Sequence, residues 1–415
     1  MAKEMATSPL SHQQRHWKMV SRKSGPVLLF LLMASFIVLL SVNYPPNTSK
    51  EELTQSLLFG KATNGGSAVD CDLFNGTWVR DFGKLAYSNR TCKTLPESNN
   101  CGKYGKNQDF VNWRWKPNGC ELPRFNPEAF LNVVRGKTLA FVGDSVARNQ
   151  MDSLLCLLSQ VEAPMQLYKD AEDRFTTWYF GFYDFTMIKL WTKFLIEGRE
   201  RQINQSATEI YDLHLDRIDT SWADKLQQTS YVVISAGHWF FRKNYLYEGG
   251  KIIGCIFCSE TNVKDLGVSF AIKKAFRTAL HFLSECKECD GRLTLVRTFS
   301  PAHFENGPWN GGGYCNRTIP LNEAEVSLSG SYWEIRNAQV AEAERLQGEQ
   351  SGANQVGLVD VTKAMMMRPD AHPGTHWNNE WMRGYSDCVH WCLPGAIDMW
   401  NDLLLAKLIQ YGSNS

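Results

Sequence analysis

The sequence predicts an α/β protein in which helices flank a largely parallel sheet. Four short apolar runs, rich in β-branched residues, have the composition of strands buried on both faces. These runs are 137–142 (KTLAFV), 231–235 (YVVIS), 292–297 (RLTLVR) and 356–361 (VGLVDV). Segments with a helical period separate the runs, and strands that alternate with helices are typical of a parallel sheet.

The helices are predicted from the spacing of apolar residues. After the first strand, the positions i, i+3, i+4 and i+7 are occupied by Met151, Leu154, Leu155 and Leu158. Helical patterns also cover 267–285, 321–347 and roughly 395–410. We therefore assign the whole of 129–415 to one α/β domain.

The chain begins with a basic segment that an uncharged apolar segment follows. Residues 1–24 contain five basic residues and one acidic residue, and the 18 residues 25–42 (GPVLLFLLMASFIVLLSV) carry no charge. A helix of that length would span roughly 27 Å, close to the thickness of a bilayer core. The basic flank predicts a cytosolic N-terminus and a single-pass type II anchor. A cleaved signal peptide is the alternative, but no small-residue cleavage site follows the run.

Everything after the anchor is then expected in the lumen. All 12 cysteines follow it, and an oxidising lumen favours disulfides. Five N-x-[ST] sequons also follow it, at Asn47, Asn75, Asn89, Asn204 and Asn316. The formal charge of +1 predicts no nucleic-acid partner.

Two segments precede the α/β domain in the lumen. Residues 43–69 contain Pro, Gly, Ser and Thr without a helical or strand period, which predicts a stem. Residues 70–128 are rich in Cys, Trp, Gly and Asn and include NWRWKPNGCELPRF. This composition predicts an irregular subdomain that disulfides hold together.

The first predicted strand ends in Gly143-Asp144-Ser145. Functional residues of parallel sheets lie beyond the carboxyl ends of strands. The first N–H groups of the following helix could stabilise an oxyanion beside Ser145, which is therefore a candidate nucleophile. A serine that only caps the helix is the alternative, and local sequence alone favours it.

A serine nucleophile needs a base, and that base needs an acid to orient it. In SDCVHWCLPG, Asp387 precedes His390 by three residues, on one face of a helical turn. His372 and His376, in RPDAHPGTHW with Asp370 nearby, are rival bases. A histidine in such a Pro- and Gly-containing loop is more often structural or substrate-binding, so the rivals rank second.

Several long motifs occur in an order that resembles a known family. GDSVARNQ, SAGHWF, TFSPAHFENGPWNGGGYC, RPDAHPG and DCVHWCLPG resemble the PC-esterase domain of the plant trichome birefringence-like polysaccharide O-acetyltransferases. WRWKPNGCELPRF resembles the N-terminal domain of the same family. The resemblance implies an SGNH/GDSL-hydrolase-like fold. It also implies Ser145 as nucleophile, His390 as base and Asp387 as the residue that orients the base.

Further oxyanion and substrate contacts are expected around Ser145. The candidates are Gly237, Arg148, Asn149, Asn310 and His238. We expect the backbone N–H groups of Ser145 and Gly237 to form the oxyanion hole, to which the wider superfamily adds an asparagine. For Arg148, a surface or core-bridging role is the alternative.

The cysteines fall into two groups. Cys255-x-x-Cys258 and Cys286-x-x-Cys289 have the spacing of zinc ligands, although the lumen favours disulfides. For the other eight, the resemblance implies the disulfides Cys71–Cys120, Cys92–Cys156, Cys101–Cys392 and Cys315–Cys388. Two of these would tether the segment that contains Asp387 and His390.

The resemblance implies a Golgi enzyme that transfers acetyl groups to hydroxyls of a cell-wall polysaccharide through an acetyl-enzyme. ARNQMDSLLCLLSQVEAP and the extra CxxC units resemble the xyloglucan-acetylating branch, with glucomannan and xylan as alternatives. An acetylesterase would use the same triad, and a non-enzymatic glycan-binding protein would use the tryptophans that follow the anchor. We expect no bound cofactor and no metal. The acetyl donor is a co-substrate that the sequence leaves open, with acetyl-CoA as one candidate.

Overall fold

The structure is a computed structural model that describes residues 71–226, 228–286, 291–349, 354–378 and 384–412. The predicted tail, anchor and stem, and with them Asn47, lie outside these residues. The other four sequons, at Asn75, Asn89, Asn204 and Asn316, are exposed, as attachment of a glycan requires. Within the described ranges no helix has the length and apolar character needed to cross a membrane.

The strands and the α-helices of the described part of the chain are each numbered in chain order. The strands are β1 Gly76–Arg80, β2 Trp113–Pro117, β3 Thr138–Gly143, β4 Met165–Lys169, β5 Phe175–Phe180, β6 Phe185–Trp191, β7 Ile196–Ile203, β8 Ser206–Ile218, β9 Tyr231–Ser235, β10 Asn244–Glu248, β11 Lys251–Ile256, β12 Leu293–Arg297 and β13 Gln355–Val359. The α-helices are α1 Pro127–Val133, α2 Ser145–Leu158, α3 Thr220–Ala223, α4 Val268–Ser284, α5 Gly330–Glu349, α6 Thr362–Met366 and α7 Asp398–Gly412.

The central sheet is mixed. Seven of the described strands form it, in the order β13-β12-β9-β3-β6-β5-β4. The four predicted strands, β13, β12, β9 and β3, lie side by side and run parallel, and β6 joins β3 as a fifth parallel strand. β5 and β4 extend the sheet antiparallel. The α/β fold is thus confirmed, and the antiparallel edge is an addition to the prediction.

A second sheet was not predicted. Four other described strands form it in the order β11-β10-β8-β7, where β10 and β8 are parallel and the other neighbours antiparallel. Its strands lack continuous apolar runs because much of their surface is exposed. A usable signal is the alternation in β8, where Tyr211, Leu213 and Leu215 are buried and the residues between them are not.

Helices α2, α4 and α7 occur where helices are predicted, but the helix expected over 321–347 begins only at Gly330. Upstream of it, the Asn322 side chain accepts a hydrogen bond from the Ala324 N–H. The Glu325 carboxylate accepts one from the Asn322 N–H. This capping box closes a single 3-10 turn that the helix does not continue.

The central sheet separates two hydrophobic cores. Along β3, Leu139 and Phe141 belong to the core that contains α2 and α7, while Ala140 and Val142 belong to the core that contains α4 and α5. This alternation is the two-residue period of a strand. The sheet is therefore buried on both faces, which explains the apolar runs in the sequence.

A buried ion pair connects the N-terminal subdomain with the α/β domain. Arg368 is fully buried and donates to Asp370 from Nε (2.8 Å) and Nη2 (2.9 Å). It also donates to the Phe110 carbonyl oxygen (2.6 Å) and lies over the Trp78 ring, 4.3 Å from its centroid. Asp370 is thus the partner of Arg368, not the acid that orients His372.

Replacement of Asp370 by alanine is expected to destabilise the fold by about 3–5 kcal/mol, because the buried Arg368 guanidinium would lose its counter-charge. Unfolding in urea, followed by tryptophan fluorescence, measures the change. Asp109→Ala is the control, since Asp109 and its partner Arg80 are 36% and 38% exposed and such pairs contribute little. Equal losses of stability in the two variants would contradict the prediction.

Candidate active site

Ser145 is the first residue of α2, directly after the helix cap. β3 ends at Gly143, and Asp144 caps the helix by accepting a hydrogen bond from the Val146 N–H (3.0 Å). The cap is therefore Asp144 rather than Ser145, which leaves the serine hydroxyl available for another partner. A side chain at Gly143 is excluded, because its Cβ would lie 1.9 Å from the Ser235 carbonyl oxygen.

Ser145, His390 and Asp387 form one hydrogen-bonded chain. Ser145 Oγ lies 2.8 Å from His390 Nε2, and His390 Nδ1 lies 2.8 Å from Asp387 Oδ2. With the proton on Nδ1, the imidazole donates to the carboxylate and accepts from the serine hydroxyl. This is the arrangement of a nucleophile, a general base and an orienting acid. The fold thus brings together three candidates of which two are 245 residues apart.

The Asp387 carboxylate is held in its ionised form. It is buried, and its Oδ1 accepts hydrogen bonds from the backbone N–H groups of Val389 (3.1 Å) and His390 (2.9 Å). Burial alone would raise the pKa of Asp387, but the charge of His390 and these hydrogen bonds lower the pKa to about 2. A negative charge therefore faces the His390 ring throughout the physiological pH range.

The residue after His390 is fixed to the helix that carries Ser145. Asn149 is buried one turn along α2, where it accepts from the Trp391 N–H (2.7 Å) and donates to the Trp391 carbonyl oxygen (3.3 Å). The Trp391 indole is buried as well and stacks on the His372 ring, with 3.9 Å between centroids. Asn149 thus holds the backbone next to His390, and its expected place in the oxyanion hole stays a prediction.

The rival histidines lie behind His390 rather than beside Ser145. His372 Nδ1 donates to the His390 carbonyl oxygen (2.7 Å), and His372 Nε2 lies 2.7 Å from Nδ1 of His303. Burial lowers the pKa of both rings, and that of His303 to about 4. His376 Nδ1 donates to the Tyr104 carbonyl oxygen (3.0 Å). His303 was not among the predicted site residues, although it stands in the quoted motif TFSPAHFENGPWNGGGYC.

Gly237 lies at the same edge of the sheet as Ser145. β9 is parallel to β3, and Ser235 pairs with Gly143. Gly237 lies two residues after Ser235, and Ser145 lies two residues after Gly143. A Cβ on Gly237 would lie 2.4 Å from the Phe299 ring, so the position excludes a side chain. The structure thus brings Gly237 to the sheet edge that carries Ser145, and its part in an oxyanion hole stays a prediction.

The remaining candidates differ in their surroundings. The His238 ring packs on the Phe299 ring (4.7 Å between centroids), and its buried Nε2 has no hydrogen-bond partner among the described residues. Burial lowers the pKa of His238 to about 4, although nearby Asp144 opposes this shift. Arg148 is half-buried on α2, whereas Asn310 is exposed in a 3-10 turn.

Arg297, the last residue of β12, was not among the site residues predicted from the sequence. It is buried, and its Nη2 donates to Ser235 Oγ (2.7 Å). Burial lowers the pKa of Arg297 to about 10, against the attraction of Asp144. The guanidinium thus places a positive charge beneath the turn that presents Ser145. A charged residue at the carboxyl end of an apolar strand is the signal that could have revealed it.

Disulfides lie on both sides of His390. Cys388 is bonded to Cys315, and Cys392 is bonded to Cys101, so His390 stands between two cross-links. The structure also contains the bonds Cys71–Cys120, Cys92–Cys156 and Cys255–Cys258. Cys289 lies outside the described residues, and the Cys286-x-x-Cys289 unit stays a prediction.

Loss of the Cys315–Cys388 bond is expected to reduce turnover strongly, because Cys388 directly follows Asp387. The variant replaces both cysteines by serine, and the steady-state rate of ester hydrolysis measures the effect. The matched control removes the Cys255–Cys258 bond of the second sheet in the same way and should keep its rate. Equal rates in the two double variants would overturn this prediction.

Comparisons with known proteins agree with the motifs. Residues 122–407 match the GDSL/SGNH-like acyl-esterase family found in Pmr5 and Cas1p, and residues 69–121 match the PMR5 N-terminal domain. The chain is similar to xyloglucan O-acetyltransferase 4 of Populus trichocarpa, with 56% identity over 81% of both chains. It is also similar to xyloglucan O-acetyltransferase 3 of that species (50% identity over 92% of this chain and 95% of the relative). A third relative is xyloglucan O-acetyltransferase 2 of Arabidopsis thaliana, with 48% identity over 82% of this chain and 83% of the relative.

The resemblance predicted from the motifs is thereby confirmed. The match to the acyl-esterase family covers well over half of the chain, and it includes Ser145, Asp387 and His390. The chain belongs to the PC-esterase family.

Proposed function

We propose that the protein is an O-acetyltransferase that acetylates hydroxyl groups of a plant cell-wall polysaccharide, with xyloglucan as the first choice. The observation that carries the proposal is the continuous relay from Ser145 Oγ through His390 to Asp387, with 2.8 Å at each step. The acyl group and the acceptor are inferred from the relatives, three of which are named xyloglucan O-acetyltransferases.

The first half-reaction forms an acetyl-enzyme. Ser145 Oγ attacks the carbonyl carbon of the acetyl donor while His390 Nε2 takes the hydroxyl proton. The backbone N–H groups of Ser145 and Gly237 stabilise the oxyanion, and Asp387 stabilises the imidazolium that forms. His390 then returns the proton to the leaving group as the carbon–donor bond breaks.

The second half-reaction reverses these roles for a sugar hydroxyl. His390 Nε2 removes the proton of the hydroxyl while its oxygen attacks the acetyl carbon. The bond to Ser145 Oγ breaks, and the serine recovers its proton from His390. Water in place of the sugar would release acetate, so the acceptor decides between a transferase and an esterase.

We place this reaction in the Golgi lumen, on a chain anchored by residues 25–42. Basic residues before that segment and sequons after it support a type II orientation. The exposed positions of the four described sequons fit a luminal domain.

The direct test incubates the full-length chain, in detergent, with acetyl-CoA or p-nitrophenyl acetate and deacetylated xyloglucan, xylan or glucomannan. Mass spectrometry of the glycan detects acetyl gain, and the Ser145→Ala chain is the control. Acetyl gain on xyloglucan that is absent from the control supports the proposal. Acetate release from acetylated glycan without any acetyl gain would instead assign an esterase, as the acyl-esterase name of the family allows.

A further inference from the structure

Two exposed aromatic side chains lie close to the segment that contains Asp387 and His390. Trp309 and Tyr385 are 39% and 40% exposed, and their ring centroids are 5.8 Å apart. The Trp377 indole N–H donates to the Tyr385 carbonyl oxygen (3.2 Å) and so holds the backbone of Tyr385. Large aromatic rings normally contribute to a core or an interface, so an exposed pair points to a ligand.

All three residues belong to segments that are fixed to Asp387 or Cys388. Tyr385 precedes Asp387 by two residues, and the segment of Trp377 is held because Gly374 and Asp387 exchange both backbone hydrogen bonds (2.9 and 2.8 Å). The segment of Trp309 is held at Cys388 from both of its ends. Its first end is held by the hydrogen bond from the His303 N–H to the Cys388 carbonyl oxygen (3.0 Å), and its second end by the Cys315–Cys388 bond.

The loop that carries Trp309 is closed on itself. Glu305 and Tyr314 exchange backbone hydrogen bonds (2.7 and 3.0 Å) at its base. A Cβ on Gly313 would lie 2.0 Å from the Gly307 carbonyl oxygen, so the loop can close only with glycine there. The Trp309 ring is therefore carried by a loop whose backbone is fixed by hydrogen bonds at its base.

We propose that Trp309 and Tyr385 form an aromatic platform that binds a sugar ring of the neutral polysaccharide acceptor. The apolar C–H face of a pyranose packs on aromatic faces without any need for charge. Two half-exposed rings are too small for a stable protein partner, which needs about 1,000 Å² or more of buried surface. They suffice for one or two sugar units. This proposal rests on the proposed function and adds the place where the acceptor is held.

The test measures binding and chemistry separately on the full-length chain. Affinity electrophoresis in gels that contain deacetylated xyloglucan reports binding without a donor. Hydrolysis of p-nitrophenyl acetate reports the Ser145 relay without a glycan. Trp309→Ala and Tyr385→Ala should each weaken glycan binding, and raise KM for xyloglucan oligosaccharides, about tenfold. Their p-nitrophenyl acetate hydrolysis should stay within about twofold, and Tyr385→Phe should keep the binding because the ring face is retained.

Phe182→Ala is the matched control, since this ring is 85% exposed in the turn between β5 and β6 and should not affect binding. Unchanged glycan binding in both alanine variants would overturn the platform. It would also be overturned if the two substitutions changed the sedimentation coefficient of the protein, as loss of a protein partner would, while glycan binding stayed the same. The proposed function fails separately if the wild-type chain binds xyloglucan and hydrolyses p-nitrophenyl acetate but transfers no acetyl group to any glycan.

Discussion

Replacement of Ser145 by alanine is expected to lower kcat for acetyl transfer by a factor of about 10⁴ to 10⁶. The variant removes the atom that attacks the donor, and no acetyl-enzyme can then form. The fold should be unaffected, because Asp144 and not Ser145 caps α2. Transfer of labelled acetyl to xyloglucan measures the loss, and thermal unfolding shows whether the variant remains folded.

The control for Ser145→Ala is a serine at the other end of the same helix. Ser159 follows α2, and its hydroxyl donates to the Cys156 carbonyl oxygen (2.8 Å) and accepts from Gln160 Nε2 (3.2 Å). Ser159→Ala should retain the wild-type rate. If Ser145→Ala kept even a tenth of that rate while folded, the assignment of the nucleophile would be wrong.

Asp387→Asn is expected to lower kcat by about 10⁴ while KM changes little. An asparagine can still accept the backbone hydrogen bonds of Val389 and His390 through its oxygen. Its amide N–H₂ would then face His390 Nδ1 and favour the tautomer with the proton on Nε2. That proton would occupy the nitrogen that has to accept from Ser145. Steady-state kinetics with p-nitrophenyl acetate measures the change.

The same carboxylate predicts a pH dependence of stability. The folded pKa of about 2 lies below the ordinary value of 3.8, so the ionised group stabilises the fold above about pH 4. This contribution is lost as the pH falls from about 4 towards 2.

Asp216→Asn is the control for the loss of rate in Asp387→Asn, because this exposed residue accepts from the Gly249 N–H in the second sheet. A rate in Asp387→Asn equal to that of the control would refute the role of the acid.

The parts of the site that are local in sequence could be predicted well. Asp387 and His390 stand three residues apart, and the backbone hydrogen bonds that hold them belong to one turn. The strand before Ser145 is an apolar run, and a helical period follows it. Such features depend on residues within one or two turns of each other, which is the range that sequence patterns report.

The tertiary structure decided what lies between distant segments. In the folded chain the Asn149 amide is hydrogen-bonded to the Trp391 backbone, and Asp370 is paired with Arg368. The rival His372 is hydrogen-bonded to the carbonyl oxygen of His390. The tertiary structure also added the second sheet, whose half-exposed strands carry only a weak alternation. Of these pairs only Asp370 and Arg368 are near in sequence, and Asp370 lies two residues from both Arg368 and His372, so spacing alone could not choose between them.

The sequence by itself therefore determined the four parallel strands β3, β9, β12 and β13, the helices with a clear apolar period, and the family. Burial of these elements leaves a local pattern of apolar residues, and the long motifs are shared with the relatives. Only the tertiary structure decided which residues meet. The order of strands in the sheet brings Ser145 and Gly237 to one edge, and the packing of the loop around Trp391 sets His390 against Ser145. Contacts of this kind depend on how the whole chain closes around its two cores, and no short pattern contains that information.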